Sequence, residues 1–128
     1  MLHEIGYSID KRVIYVRFDG DLTTDDALTS NVSTIELIRG GVAPVHYVVD
    51  TRNLKNVRVN LKQMTEVATF LREPNLGWVI VIGGSPIARF LSSVVMQMKH
   101  QNFHFADSPE DALASLARVD TTLKEPTH

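Results

Sequence analysis

An α/β fold built on a mixed sheet is the architecture that the sequence predicts, and three observations predict it. The chain opens with two strand-like segments joined by a polar turn. From there, short apolar runs rich in β-branched residues alternate with stripes of helical period. Two of those runs, Val45–Val49 and Gly77–Ile82, are too apolar for exposed strands. The resulting order is β-β-α-β-α-β-α-β-α, in which an opening hairpin precedes parallel pairs made by right-handed crossovers.

Each element has a local cause. Ile5, Tyr7 and Ile9 alternate with polar neighbours, Asp10-Lys11-Arg12 turn the chain, and Val13 to Phe18 form the return strand before Gly20. Thr23 to Asp26 open a helix, because hydroxyls cap free N–H groups and acids suit the positive end of the dipole. Leu28, Val32, Ile35 and Ile38 are its expected apolar stripe, and Gly40-Gly41 end it. After Pro44 the run Val45 to Val49 closes on Asp50, and a connection from Thr51 to Asn60 follows. Asn60 with Gln63 suits a capping box for a helix carrying Leu61, Met64, Val67, Ala68 and Leu71, which Glu73-Pro74-Asn75 stops. Gly77 to Ile82 reads as the central strand. Gly83-Gly84-Ser85-Pro86 then turns into a third helix, with Ser85 as cap and Pro86 in its first turn. Ile87, Phe90, Leu91, Val94, Val95 and Met98 are its expected inner face, with Arg89, Met96 and His100 opposite. Phe103 to Ala106 is a short strand, and Ser108-Pro109-Glu110-Asp111 starts a last helix packed through Ala112, Leu113, Leu116 and Val119.

Length and composition bound what such a fold does. The 128 residues suit one domain, expected over residues 1–120 with a flexible tail over 121–128. Thirteen basic against fifteen acidic residues leave a net charge of -2, which argues against a domain held on nucleic acid by bulk charge. The absence of cysteine excludes disulfides, thiolate metal sites and a Cys nucleophile. No apolar run approaches the roughly 20 residues of a membrane span. The N-terminus reads as a strand rather than a signal peptide, so a cytoplasmic location is expected.

The element order, with Val45-His46-Tyr47-Val48-Val49-Asp50, Gly77-Trp78-Val79-Ile80-Val81-Ile82 and the closing stretch Phe103 to Leu113, resembles the STAS family. More narrowly it resembles the stand-alone SpoIIAA-like proteins, which are grouped with Sec14-type lipid-binding relatives. The resemblance implies a STAS-like mixed sheet and a non-catalytic regulatory or protein-interaction role, with a protein partner or self-association as a homodimer. Members of the antagonist type are switched by phosphorylation of a Ser or Thr opening the second helix. Here Arg52 to Lys62 holds no Ser, Thr or Gly, Asn60 takes the cap position and Thr51 is the nearest hydroxyl, so no phosphorylation is expected.

The other candidate sites come from the residues themselves. Gly83-Gly84-Ser85 is either a tight strand-to-helix turn or an anion cradle, and it lacks the Lys of a phosphate-binding loop. The basic residues Arg52, Lys55, Arg58 and Lys62 follow the C-terminal end of a strand, where open α/β sheets bind ligands. Together these make Arg52, Arg58, Gly83, Gly84 and Ser85 a candidate site for a small anionic ligand, beside the alternative of solvated surface charge. An apolar, lipid-like ligand between the helices is the second possibility, and an enzyme of unknown reaction the third. Phe70 and Met96 fall outside the expected helix stripes and are candidate interface residues. His100 and His104 are four apart, which suits a metal pair only on one helix, but they are expected on a helix end and a strand. His46 is expected in a buried strand, and the five local contexts of Ser85, Ser92, Ser93, Ser108 and Ser115 show no nucleophile motif. Neither a metal nor a cofactor is expected.

Overall fold

The computed structural model describes residues 1–123, and the side chains of Ile87 and Leu91 lie outside what it describes. Five strands, β1 (Leu2–Ile9), β2 (Val13–Leu22), β3 (Val45–Val57), β4 (Leu76–Ile82) and β5 (Phe103–Ala106), form one sheet in chain order. The hairpin β1–β2 is antiparallel, and the remaining pairs are parallel. Parallel neighbours added in one direction by right-handed crossovers leave all their connections on one face. Accordingly α1 (Thr24–Gly40), α2 (Leu61–Val67), a 3₁₀ turn (Thr69–Arg72) and α3 (Pro86–Met98) share that face. There they pack over Val16, Tyr47 and Val79. The last helix, α4 (Pro109–Val119), lies alone on the other face, where Ala112 and Leu116 meet Val13, Val48, Ile80 and Ile82.

The caps behave as their residue types dictate. Thr23 and Asn60 form reciprocal capping boxes with Asp26 and Gln63, and Ser85 and Ser108 accept from Ala88 N and Asp111 N.

Four expectations need correction. The connection expected from Thr51 is strand, because β3 runs on to Val57 and keeps its ladder with β2 as far as Leu22↔Val57. β4 stops pairing at Asp50↔Ile82, so the ends of β2 and β3 project past the sheet as a two-stranded arm. Register shifts on either side of Asp19 and Gly20, with Gly20 at φ +64°, bend this arm. The second helix breaks at Ala68, where the Asn31 side chain accepts from Phe70 N at 2.9 Å and donates to Thr69 Oγ1 at 2.7 Å. In α1 the inward row is Ser30, Asn31, Thr34 and Ile38, because Asn31 must face that break, and Leu28 and Val32 are exposed.

The fourth correction concerns α3. Phe90 (66%) and Met98 (58%) are exposed, whereas Met96 (7%) is buried. Phe70 is buried as well, turned inward by the break at Ala68 and packed on Tyr47 at a ring distance of 4.5 Å. Both residues expected at an interface are therefore core. Beyond α4, Thr122 accepts from Arg12 Nη2 at 3.0 Å, and Leu123 packs against the α4 side of the core. Residues 124–128 lie outside the described residues.

Gly20 has nothing within 4 Å of an added Cβ, so its positive φ alone resists substitution. Gly20→Ala should cost about 1 kcal/mol in urea denaturation, and Gly20→Asn less, because Asn tolerates the left-handed region. Equal stability of all three proteins would mean that the bend does not depend on this backbone conformation.

Candidate ligand-binding chamber

The bent arm, the broken second helix and α3 do not close on the sheet. Between them lies a chamber of about 120 Å³. Its floor is Tyr47, Val49 and Val81, and the arm supplies Phe18, Leu22, Leu54 and Val57. The roof depends on which row of α3 faces in. Ala88 and Ser92 line the chamber one turn apart, ahead of Val95 and Met96, while the larger Phe90 and Met98 face out. Small side chains at the inward positions leave the space unfilled.

No charged side chain lines the chamber among the described residues. Its polar members are mostly satisfied within the protein. Ser30 Oγ donates to Ala27 O (3.1 Å), Thr51 Oγ1 to Ile82 O (2.8 Å) and Ser92 Oγ to Ala88 O (2.8 Å), and Asn31 holds the helix break. Tyr47 is the exception. Its side chain is almost wholly buried, and burial pushes its phenol pKa up.

The residues expected to bind an anion are only partly brought together. Arg58 and Ser85 line one outer cleft with Lys55, next to the chamber, whereas Arg52, Gly83 and Gly84 lie outside it. Arg52 does fold over the turn: a Cβ on Gly83 would sit 2.6 Å from its Cγ. Its guanidinium, however, holds Asp50 through Nη2 (2.7 Å) and Nε (3.0 Å), and Tyr15 Oη donates to the same carboxylate at 2.6 Å. Asp50 is buried, which alone would raise its pKa, but the Arg52 and Tyr15 hydrogen bonds outweigh that and lower it. The Arg52 charge is thus already matched, and Arg58 donates to Asp21 at 2.8 Å. Gly83 and Gly84 adopt positive φ where the chain turns into α3.

No protein-family model and no curated protein matches the chain. Solved structures do. An uncharacterised DUF3478-family protein with a SpoIIAA-like fold from Shewanella loihica PV-4 superposes with a TM-score of 0.64 at 18% identity, over 91% of this chain and 92% of its own. The anti-sigma factor antagonist SpoIIAA in its unphosphorylated form gives a TM-score of 0.60 at 13% identity, over 92% and 98%. The chain has the SpoIIAA-like, STAS-type fold. Sequence resemblance carried by the strand ends and the final helix start had implied this fold, and at these identities the fold is what the likeness shows.

Within this SpoIIAA-like fold, the segment Arg52–Lys62 offers no hydroxyl, and the Thr51 hydroxyl is buried against Ile82 O. No described helix is long and apolar enough to cross a membrane. His104 stacks on Trp78 at 4.8 Å rather than converging with other ligands, and among the described residues no three His, Asp or Glu side chains converge.

His46 resembles half of a catalytic dyad, since its Nε2 lies 2.9 Å from Asp120 Oδ2. Its other nitrogen accepts from Trp78 N at 2.9 Å, which assigns the proton to Nε2 and leaves no free ring nitrogen for proton transfer. The contact is a structural latch: Asp120 also accepts from Arg12 Nη2 at 2.7 Å and ties the end of α4 to the β1–β2 turn. Burial lowers the His46 pKa more than Asp120 raises it. Burial would raise the Asp120 carboxyl, but hydrogen bonds from Thr122 and His46 and the Arg12 charge bring it down to about 2.

Both groups have folded pKa values below their unfolded ones, so the unfolded chain binds protons first and acid destabilises the fold. The His46 contribution is present in full above about pH 6.5 and lost below it, and that of Asp120 is lost from about pH 4 towards 2. The urea midpoint should fall between pH 7 and pH 5 in the wild type, and less in His46→Gln. An identical pH dependence in the two proteins would remove His46 from this account.

Proposed function

We propose that this domain binds a small, largely apolar molecule in the chamber between its helix layer and its sheet. One observation carries the reading: a domain this small keeps a cavity of about 120 Å³ walled almost entirely by apolar side chains. Native cores leave few voids larger than a water molecule. Apolar cavities of about 150 Å³ take up benzene-sized guests. The chamber also has a way in, because Leu54, Val57 and Ala88 line both it and the outer cleft.

Toluene, a guest of suitable size, should raise the melting temperature by about 3 °C near its solubility limit, as expected for millimolar affinity. Val95→Phe places a ring into the chamber from a buried position of α3 and should abolish that shift while the protein stays folded. A toluene shift that persists undiminished in the folded Val95→Phe variant would place binding elsewhere.

A second reading is favoured by a different observation. Phe90 and Met98 present large apolar side chains to solvent from α3, the helix that roofs the chamber. Isolated exposed hydrophobes are common, but two on one helix suit docking on a protein partner or a second copy. In this reading the domain is a regulatory interaction module, as the anti-sigma factor antagonist SpoIIAA suggests by analogy of fold. Sedimentation velocity over a wide concentration range should show self-association that Phe90→Asp abolishes. A monomer at every concentration would leave α3 without a role between copies of this chain.

A further inference from the structure

We propose that the chamber's ligand is a compact neutral molecule carrying one hydrogen-bond-accepting oxygen, to which the Tyr47 hydroxyl donates. This rests on the chamber being the binding site and adds what the chamber selects.

The chain has three tyrosines. Tyr7 donates to Leu37 O, and Tyr15 donates to Asp50. Tyr47 is as little exposed as a core residue, at 5%, yet its hydroxyl has no hydrogen-bond partner among the described residues. Thr34 Oγ1 is the fully enclosed side-chain polar atom without a partner among the described residues, so the Tyr47 hydroxyl is not sealed in the core and stays open to a guest in the chamber it lines. Tyr47 also packs its ring on Phe70, so the aromatic part of the side chain is explained by the core and the hydroxyl is not. The hydroxyls of Ser30, Thr51 and Ser92 already donate within the protein, and Asn31 is held at the helix break by one amide N–H and its oxygen, so Tyr47 is the lining hydroxyl whose proton remains available.

The chamber also says what the partner is not. With no charged lining among the described residues, a carboxylate or an ammonium would be buried there without a counter-ion, at a cost one phenol cannot offset. The Lys55 and Arg58 side chains lie in the outer cleft, beyond the wall formed by Leu54 and Val57. Volume sets the remaining limit. About six or seven non-hydrogen atoms fit a space of this size, so a full-length acyl chain would not be enclosed by it. A cyclic or short branched ketone, ester or ether meets all three conditions.

Cyclohexanone and methylenecyclohexane test this as a pair, because they share a shape and differ only in oxygen against CH₂. Amide chemical-shift titrations of the wild type should detect both, with perturbations centred on β3 and α3. Tyr47→Phe should weaken cyclohexanone about five- to tenfold, the worth of one neutral hydrogen bond, and leave methylenecyclohexane within about twofold. Binding of methylenecyclohexane by the variant also reports that its chamber is intact. If Tyr47→Phe changes the two affinities equally, Tyr47 does not read the oxygen and the inference falls while the chamber stands. If the wild type binds neither molecule, the chamber reading itself falls and this inference with it.

Discussion

The β2–β3 ladder outruns the sheet it belongs to, and the rest of the binding architecture depends on that. β4 ends its pairing level with Asp50, while β2 and β3 continue to Leu22 and Val57. A two-stranded ribbon with no third strand is free to twist and bend, and the irregular register around Asp19 and Gly20 lets it do so. Bent over the helix-bearing face, it places Leu22, Leu54 and Val57 as a wall where an ordinary crossover would have closed the core. Had the chain left the sheet at Asp50, α2 and α3 would have nothing to be held away from.

The helices complete the enclosure by a division of size. On α3 the small Ala88 and Ser92 line the near end of the chamber, Val95 and Met96 fill its far end, and Phe90 and Met98 face out. On α1 the inward row is polar, and Asn31 uses its amide to pin the break between α2 and the 3₁₀ turn. That break turns Phe70 inward onto Tyr47. The opposite face shows no such economy of side-chain volume. There α4 seals Val13, Val48, Ile80 and Ile82, and the His46–Asp120–Arg12 latch fixes its end. One face of the sheet is thus built for stability and the other holds the space.

Much of the fold was legible because its signals are local. Capping pairs such as Asn60 with Gln63, the Gly83-Gly84-Ser85 turn and the apolar run ending at Ile82 each act within a few residues, and their elements form where expected. The errors arise where distant groups decide. The continuation of β3 through a polar run depends on β2 beside it, since Asn53 to Asn56 do not read as strand alone. The inward row of α3 is set by what the chamber leaves room for, so periodicity favoured Phe90 and Met98 and misplaced Met96. Arg52 was found in sequence as a basic residue at a strand end, but its pairing with buried Asp50 needed the fold. Tyr47 drew no functional reading, because an aromatic in an apolar strand is indistinguishable from core. The usable hint was the spacing of Ala88 and Ser92 on one helical row beside a row of larger residues.

The chamber's capacity to hold an apolar guest is the claim from which the functional reading follows, and xenon tests it without assuming any ligand chemistry. A crystal of the whole protein pressurised with xenon should show an ordered atom between Tyr47, Val81, Val95 and Met96, reached without movement of the sheet. Xenon bound only at other positions, or none bound under conditions that load a known apolar cavity, would show that these walls close on themselves and that the chamber is not a binding site.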